Sequence, residues 1–133
     1  MEIKRYLTQH DAAILCKLAE SLLRLGEVDF NAGEMLLEIL ATSIILPEQV
    51  QKKDHVALFS EVTYCSINPD TMDSIVLVSP QDANQDLARV SVASPIGLAL
   101  IGHRVKSIVK VTSPFCPAHP IKIIDVRSLM HVE

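Results

Sequence analysis

The spacing of apolar residues changes near residue 47, and this change limits the folds open to the chain. Before it, Leu15, Leu18, Leu22 and Leu25 follow the alternating three-and-four spacing of one helix face. Beyond it, short runs such as residues 61–67 alternate apolar with polar side chains and are rich in β-branched residues, which is typical of strands. A chain of 133 residues with this order predicts an α+β fold, with helices first and a sheet second.

Two helices are predicted in the first half. The first spans residues 8–25, where Thr8 and Asp11 resemble a capping box and Gly26 ends the apolar pattern. The second spans residues 31–44 and carries an apolar stripe of its own. Two helices joined by a short turn predict an N-terminal antiparallel helical hairpin, which is a short coiled coil.

The second half is predicted to be an antiparallel β-sheet with one short helix. Pro95 suits the first turn of that helix, Ser94 suits its N-cap, and Gly102 suits the position just after its last turn. The predicted strands cover residues 61–67, 74–78, 89–93, 107–112 and 121–126.

A polar stretch at residues 47–54 reads as a linker between the two halves. It divides the chain into a helical part, 1–46, and a sheet part, 55–133. On that division, Leu18→Ala is expected to loosen the helices and to leave the sheet part folded.

Charge and composition limit the kinds of partner. The formal net charge is −4, the cations are scattered, and aromatic residues make up only 4% of the chain, so direct binding to nucleic acid is not expected. A role near DNA would be indirect, through a protein partner. The longest apolar run, residues 94–102, is far shorter than a membrane span, and residues 1–10 are too polar for a signal peptide. We therefore expect a soluble, cytoplasmic protein without membrane contact.

The residues capable of chemistry form no recognisable catalytic or metal-binding pattern. Cys116 and His119 could form half of a metal site or a nucleophilic dyad, but no second ligand pair or third orienting group accompanies them. Asp82 and Asp86 lie in a polar run that is typical of a solvated loop. We therefore expect no enzyme activity, no metal and no cofactor.

Glu27 and Asp29 lie at the turn between the two predicted helices. A pair of carboxylates on an exposed tip can hold Mg²⁺ together with several waters. Acidic residues at a helix start also complement the helix dipole without any ligand, and this second interpretation is the simpler one.

One segment resembles a known family. Residues 94–102, SPIGLALIG, match the SPxGxALxG signature in the C-terminal domain of the bacterial GreA/GreB transcription elongation factors. Strands similar to those of the family precede and follow it in the same order, over about residues 55–127. The resemblance implies an FKBP-like sheet domain. The chain departs from the family at Val105-Lys106-Ser107, where Val-Gly-Asp is common, and in the proline-rich loop 114–120.

The overall plan resembles the Rnk-type regulators of nucleoside diphosphate kinase within that superfamily. That resemblance implies binding to RNA polymerase at its secondary channel, in competition with the Gre factors. We expect the polymerase contact at the turn formed by Ser94, Pro95, Ile96 and Gly97, where a rigid corner carries a residue without a side chain. Glu27 and Asp29 form the tip of a hairpin that is too short to promote transcript cleavage.

Three alternatives stay open at this point. A Gre-type cleavage factor would share the second domain but needs a longer coiled coil. A peptidyl-prolyl isomerase would share the fold, but its cleft is lined with aromatic residues, which are scarce here. A dimerising adaptor would use the apolar seam of the helices to join two copies.

Overall fold

The computed structural model describes residues 5–25, 32–47, 54–66, 71–113 and 116–128. Two helices occupy the N-terminal part, α1 (Gln9–Leu25) and α2 (Ala32–Thr42). Thr8 caps α1, because its Oγ1 accepts a hydrogen bond from the Asp11 N–H at 3.0 Å. The first turn of α2 lies against the last turns of α1, and the absence of a side chain at Gly33 leaves room for Ala19 and Leu23.

Two short strands flank the helices. Strand β1 (Tyr6–Leu7) precedes α1, and β2 (Ile44–Ile45) follows α2. They pair in parallel, Tyr6 with Ile44, so the beginning of α1 lies near the end of α2. Ile44 therefore belongs to a strand, not to the predicted second helix, which ends at Thr42.

A five-stranded sheet forms the C-terminal part. Its strand order is β5-β4-β3-β7-β6. All pairs are antiparallel except β4 with β5, so the prediction of an antiparallel sheet was wrong for this one pair, whose strands are connected by the loop at residues 79–88. The helix α3 (Pro95–Leu100) connects β5 to β6. The predicted α+β fold, with helices before a sheet, is confirmed. The strands are β3 (Ser60–Ser66), β4 (Thr71–Val78), β5 (Arg89–Ser91), β6 (Ile108–Ser113) and β7 (Cys116–Ser128).

Strand β7 is longer than the sequence pattern predicts. Residues 116–120, which were expected to form part of a proline-rich loop, continue the strand toward its start, and Pro120 pairs with Lys110 of β6. Because proline lacks an N–H, its presence argued against a strand here, yet this stretch lies beside the edge strand of the sheet.

The hydrophobic core joins the helices to the sheet. One contiguous cluster of buried side chains contains residues of α1 and α2 together with residues of β3, β4, β6, β7 and α3. The side chains of the sheet that enter it come from one face only, which we call the inner face; the outer face looks away from the helices. Fully buried members from each part include Leu15, Leu36, Val62, Leu77, Leu98 and Ile123.

Candidate functional site

The corner between β5 and α3 contains the residues expected to meet a partner. Ser94 Oγ accepts a hydrogen bond from the Gly97 N–H at 3.2 Å and donates one to the Ser91 carbonyl at 2.6 Å. Pro95 occupies the first turn of α3. The predicted N-cap and helix start are thus confirmed, and these bonds hold the turn in one shape.

The corner offers side chains, not bare backbone, to its surroundings. Ser94, Pro95 and Ile96 are half-buried, whereas Gly97 is buried. A Cβ at Gly97 would lie only 2.7 Å from the Cα of Val92 and would also meet the Ser91 carbonyl. The chain itself therefore fills the space beside Gly97, which corrects the idea that a partner approaches the backbone there. A polymerase contact at the four residues stays a prediction.

Arg5 ties the N-terminal segment to the far end of α3. Its Nη1 donates to the carbonyls of Leu98 at 2.5 Å and Ile101 at 3.0 Å, and the Tyr6 N–H donates to the Gly102 carbonyl at 2.9 Å. Carbonyls in the last turn of a helix have no partner within the helix, so a cation there satisfies them and complements the dipole. Burial lowers the pKa of Arg5 to about 10, and Glu38 opposes this effect.

Asp11 forms a second link between the helices and the sheet part. Its Oδ2 accepts a hydrogen bond from the Leu58 N–H at 3.1 Å, and the residue is buried. Burial raises the pKa of the Asp11 carboxyl, while the Leu58 bond opposes the rise. The interpretation of Asp11 as the acidic member of a capping box was therefore incomplete, because its carboxylate bonds to a residue distant in sequence.

A buried histidine lies at the same junction. His103 is only 7% exposed, and its Nδ1 has no hydrogen-bond partner among the described residues. Burial lowers its pKa to about 4, and the nearby Arg5 and His55 add to the effect. His55 Nδ1 lies 2.8 Å from Asp54 Oδ1, and the Tyr6 ring meets the His55 ring edge-on with centroids 4.9 Å apart.

We expect the protein to lose stability on acidification, because protonated His103 is unfavourable in the folded state. The folded-state pKa of about 4 lies below the ordinary value of 6.5, so the unfolded chain takes up the proton first as the pH falls. Between about pH 7 and about pH 5.5 this group should remove about 1 kcal/mol of unfolding free energy. Denaturant unfolding at both pH values measures the loss, and His103→Gln should reduce it. Equal losses in the two proteins would contradict this assignment.

The remaining candidate residues are described only in part. Glu27 and Asp29, the predicted tip, lie outside the described residues. Asp82 and Asp86 are exposed in the loop after β4, as expected, and His119 is exposed on β7. Within the described ranges no group of three or more histidine, cysteine or acidic residues is placed to hold a metal ion. None of the helices in the described part of the chain has the length and apolarity needed to cross a membrane.

The turn at Val105-Lys106-Ser107, where the sequence differs from the family pattern, keeps a backbone conformation typical of glycine. Lys106 has a φ of 77°, in the left-handed region that favours glycine. Its N–H donates to the Ile123 carbonyl at 2.8 Å, and the Ser107 N–H donates to the Arg104 carbonyl at 3.1 Å. The replacement therefore puts a cation at the turn and leaves the chain able to enter β6.

Comparison with known proteins gives consistent matches. A model of the family described as "Transcription elongation factor, GreA/GreB, C-term" matches residues 51–128. A protein named "Transcription elongation factor GreA" from Chlorobaculum parvum is 30% identical over 102 residues, 76% of this chain and 63% of that protein. One of the same name from Chlorobium limicola is 34% identical over 88 residues, 65% of this chain and 55% of that protein. The chain thus spans less than two thirds of the length of these relatives.

A solved structure shares the fold. The "Prokaryotic transcription elongation factor GreA/GreB from Nitrosomonas europaea" superposes with a TM-score of 0.72 over 95% of this chain and 99% of that one, at 21% sequence identity. The agreement extends over the N-terminal helices as well as the sheet, so both parts of the architecture have a counterpart in a solved protein.

Proposed function

The chain belongs to the GreA/GreB family of transcription elongation factors through the C-terminal domain of that family, and on that premise we propose that it is a non-enzymatic transcription regulator that binds RNA polymerase. Binding at the secondary channel follows from the resemblance to the Rnk-type regulators of nucleoside diphosphate kinase. In the same proposal the sheet part is an FKBP-like docking domain, and the helices are a shortened antiparallel hairpin that enters the channel.

The observation that carries the proposal is the small size of the helix pair on an otherwise family-like domain. α1 has 17 residues and α2 has 11. At 1.5 Å per residue these helices are about 26 Å and about 17 Å long. The resemblance implies that cleavage factors need roughly twice that reach to deliver carboxylates to the polymerase centre.

The polymerase contact is assigned to the corner of Ser94, Pro95 and Ile96. Two hydrogen bonds of Ser94 hold this turn, and the half-buried Ile96 packs against the hydrophobic core. A contact surface that is already ordered loses little conformational entropy on binding, which favours docking at this position. Gly97 supports the corner from within.

We expect Ile96→Asp to weaken binding to core RNA polymerase by about tenfold or more, because it places a charge at an apolar contact. Pro95→Ala should weaken binding less. A pull-down with core polymerase, supported by light scattering of the free protein, measures both. Ile124→Asp is the matched control, since Ile124 is 39% exposed on β7 and lies outside both the corner and the helices. Leu37→Asp, at a residue that is 43% exposed on α2, tests dimerisation through the helices instead.

The outcomes separate the alternatives. Loss of binding in Ile96→Asp with nearly unchanged melting temperature supports docking at the corner. Binding that falls only in proportion to the folded fraction would mean that the corner stabilises the fold and does not contact the polymerase. A wild-type protein that fails to bind polymerase, and that dimerises through Leu37, would favour the adaptor instead.

A further inference from the structure

The outer face of the sheet carries a continuous line of side chains across four strands. Cys65 of β3 lies opposite Met72 of β4 on one side and Lys122 of β7 on the other, and Lys122 lies opposite Ile108 of β6. Residues directly opposite each other in antiparallel strands point to the same face. With about 4.8 Å between strands, the line is about 14 Å long.

This line is apolar and cationic in a protein that is acidic overall. Met72 is 63% exposed and Ile108 is 50% exposed, while Lys122 and Lys110 are exposed beside them. Among the described residues, neither lysine takes part in an ion pair such as Asp54–His55 or Glu61–Arg127. We call Cys65, Met72, Ile108, Lys110 and Lys122 the outer-face patch.

The loop after β4 has the complementary character. Every residue from Pro80 to Arg89 is exposed, and the loop contains Leu87, which is 56% exposed, together with Asp82 and Asp86. We call these three residues the acidic turn.

The acidic turn is ordered before any partner arrives. Asn84 Oδ1 accepts a hydrogen bond from the Asp86 N–H at 3.0 Å, and the backbones of Asn84 and Arg89 bond to each other in both directions at 2.9 Å. A preformed projection of this kind loses little entropy when it docks.

Within one chain the two features cannot meet. Met72 lies near the start of β4, and the acidic turn follows its end at Val78. Six residues of extended strand separate them by about 20 Å. We infer that two copies of this chain associate reciprocally, with the acidic turn of each copy on the outer-face patch of the other.

A reciprocal arrangement is closed, because each copy contributes the same two features and a twofold axis relates them. Leu87 then contacts the apolar side chains of the patch, while Asp82 and Asp86 face Lys110 and Lys122. Few side chains take part, so the association is weak, concentration-dependent and sensitive to salt. The inference does not depend on polymerase binding, because the corner belongs to a different part of the domain.

Sedimentation velocity over a range of concentrations tests the inference, at about 0.05 M and about 0.5 M salt. The wild-type protein should approach the mass of a dimer at low salt and dissociate at high salt. Lys122→Glu and Asp86→Lys should each weaken the dimer by about tenfold or more, because each places like charges opposite one another. Lys17→Glu, at an exposed position on α1, is the control with the same change of charge as Lys122→Glu.

Mixing the two variants gives the sharpest outcome. In a mixed dimer, Asp86 of one chain faces Lys122 of the other, and Glu at 122 faces Lys at 86, so both contacts are again attractive. An equimolar mixture should therefore dimerise more strongly than either variant alone. A wild-type protein that stays monomeric, or a dimer that both variants leave unchanged, would overturn the inference. A dimer that is lost only in Leu37→Asp would place the interface on the helices and would overturn it as well.

Discussion

We expect Gly97→Ala to lower the free energy of unfolding by about 3 kcal/mol, because the added methyl group has no space. Its Cβ would lie 2.7 Å from the Cα of Val92 and would also meet the Ser91 carbonyl. Both are backbone atoms, so relief requires the end of β5 to separate from α3, and a rotamer change cannot provide it. Chemical denaturation monitored by circular dichroism measures the loss.

Gly33→Ala is the matched control for this substitution. Its added Cβ would lie 2.9 Å from the Cγ of Leu23, a side-chain atom of an exposed residue that can move. It would also lie 3.2 Å from the Ala19 carbonyl oxygen, which is a much looser backbone contact than those at Gly97. Alanine also favours the helical conformation over glycine by up to about 1 kcal/mol. The control should therefore change stability little. Equal stabilities of the two variants would contradict the close packing assigned to Gly97.

Leu15→Ala should lower the free energy of unfolding by about 2–5 kcal/mol, and it should destabilise the sheet together with the helices. Leu15 is completely buried in α1, within a core that also contains sheet residues. Arg5, Tyr6 and Asp11 add hydrogen bonds that connect the two parts. Loss of packing in α1 therefore weakens both sides of the junction.

Amide hydrogen exchange of Leu15→Ala distinguishes joint unfolding of helices and sheet from the separate unfolding that the predicted linker implies. One cooperative unit predicts faster exchange in α1 and in β3 by similar factors. Cys16→Ala is a control on the same helix, because Cys16 is exposed. Faster exchange confined to α1 and α2 would instead show that the helices and the sheet unfold separately. The linker at residues 47–54, as the boundary between two domains, stays a prediction.

The local patterns of the sequence predicted most of the elements. The leucine spacing predicted α1, the alternating run at residues 61–67 predicted β3, and the continuous apolar run at residues 74–78 predicted β4. The Ser94-Pro95 pair predicted the start of α3. Each depends on neighbours within a few residues, where helix and strand periods are directly readable. The family signature begins at the N-cap of α3. The capping bond explains its serine, and the close backbone of Ser91 and Val92 explains its buried glycine.

The contacts that were missed all join residues far apart in the sequence. Strands β1 and β2 have two residues each, too few for a periodic pattern. Arg5 looked like one of several scattered cations, and its partners, the carbonyls of Leu98 and Ile101, are backbone groups that no residue type identifies. Asp11 was assigned a local partner because such caps are common, while its carboxylate bonds to Leu58.

The proposed regulator is tested most directly by cleavage of backtracked transcription complexes in the presence of this chain. We expect no stimulation of cleavage by the chain alone. When the chain is added together with a Gre cleavage factor, cleavage should decrease with its dose, because both proteins would occupy the secondary channel. The Ile96→Asp variant should produce a smaller decrease. Stimulated cleavage by the chain alone, abolished in a Glu27→Ala, Asp29→Ala double variant, would contradict the account and identify a cleavage factor.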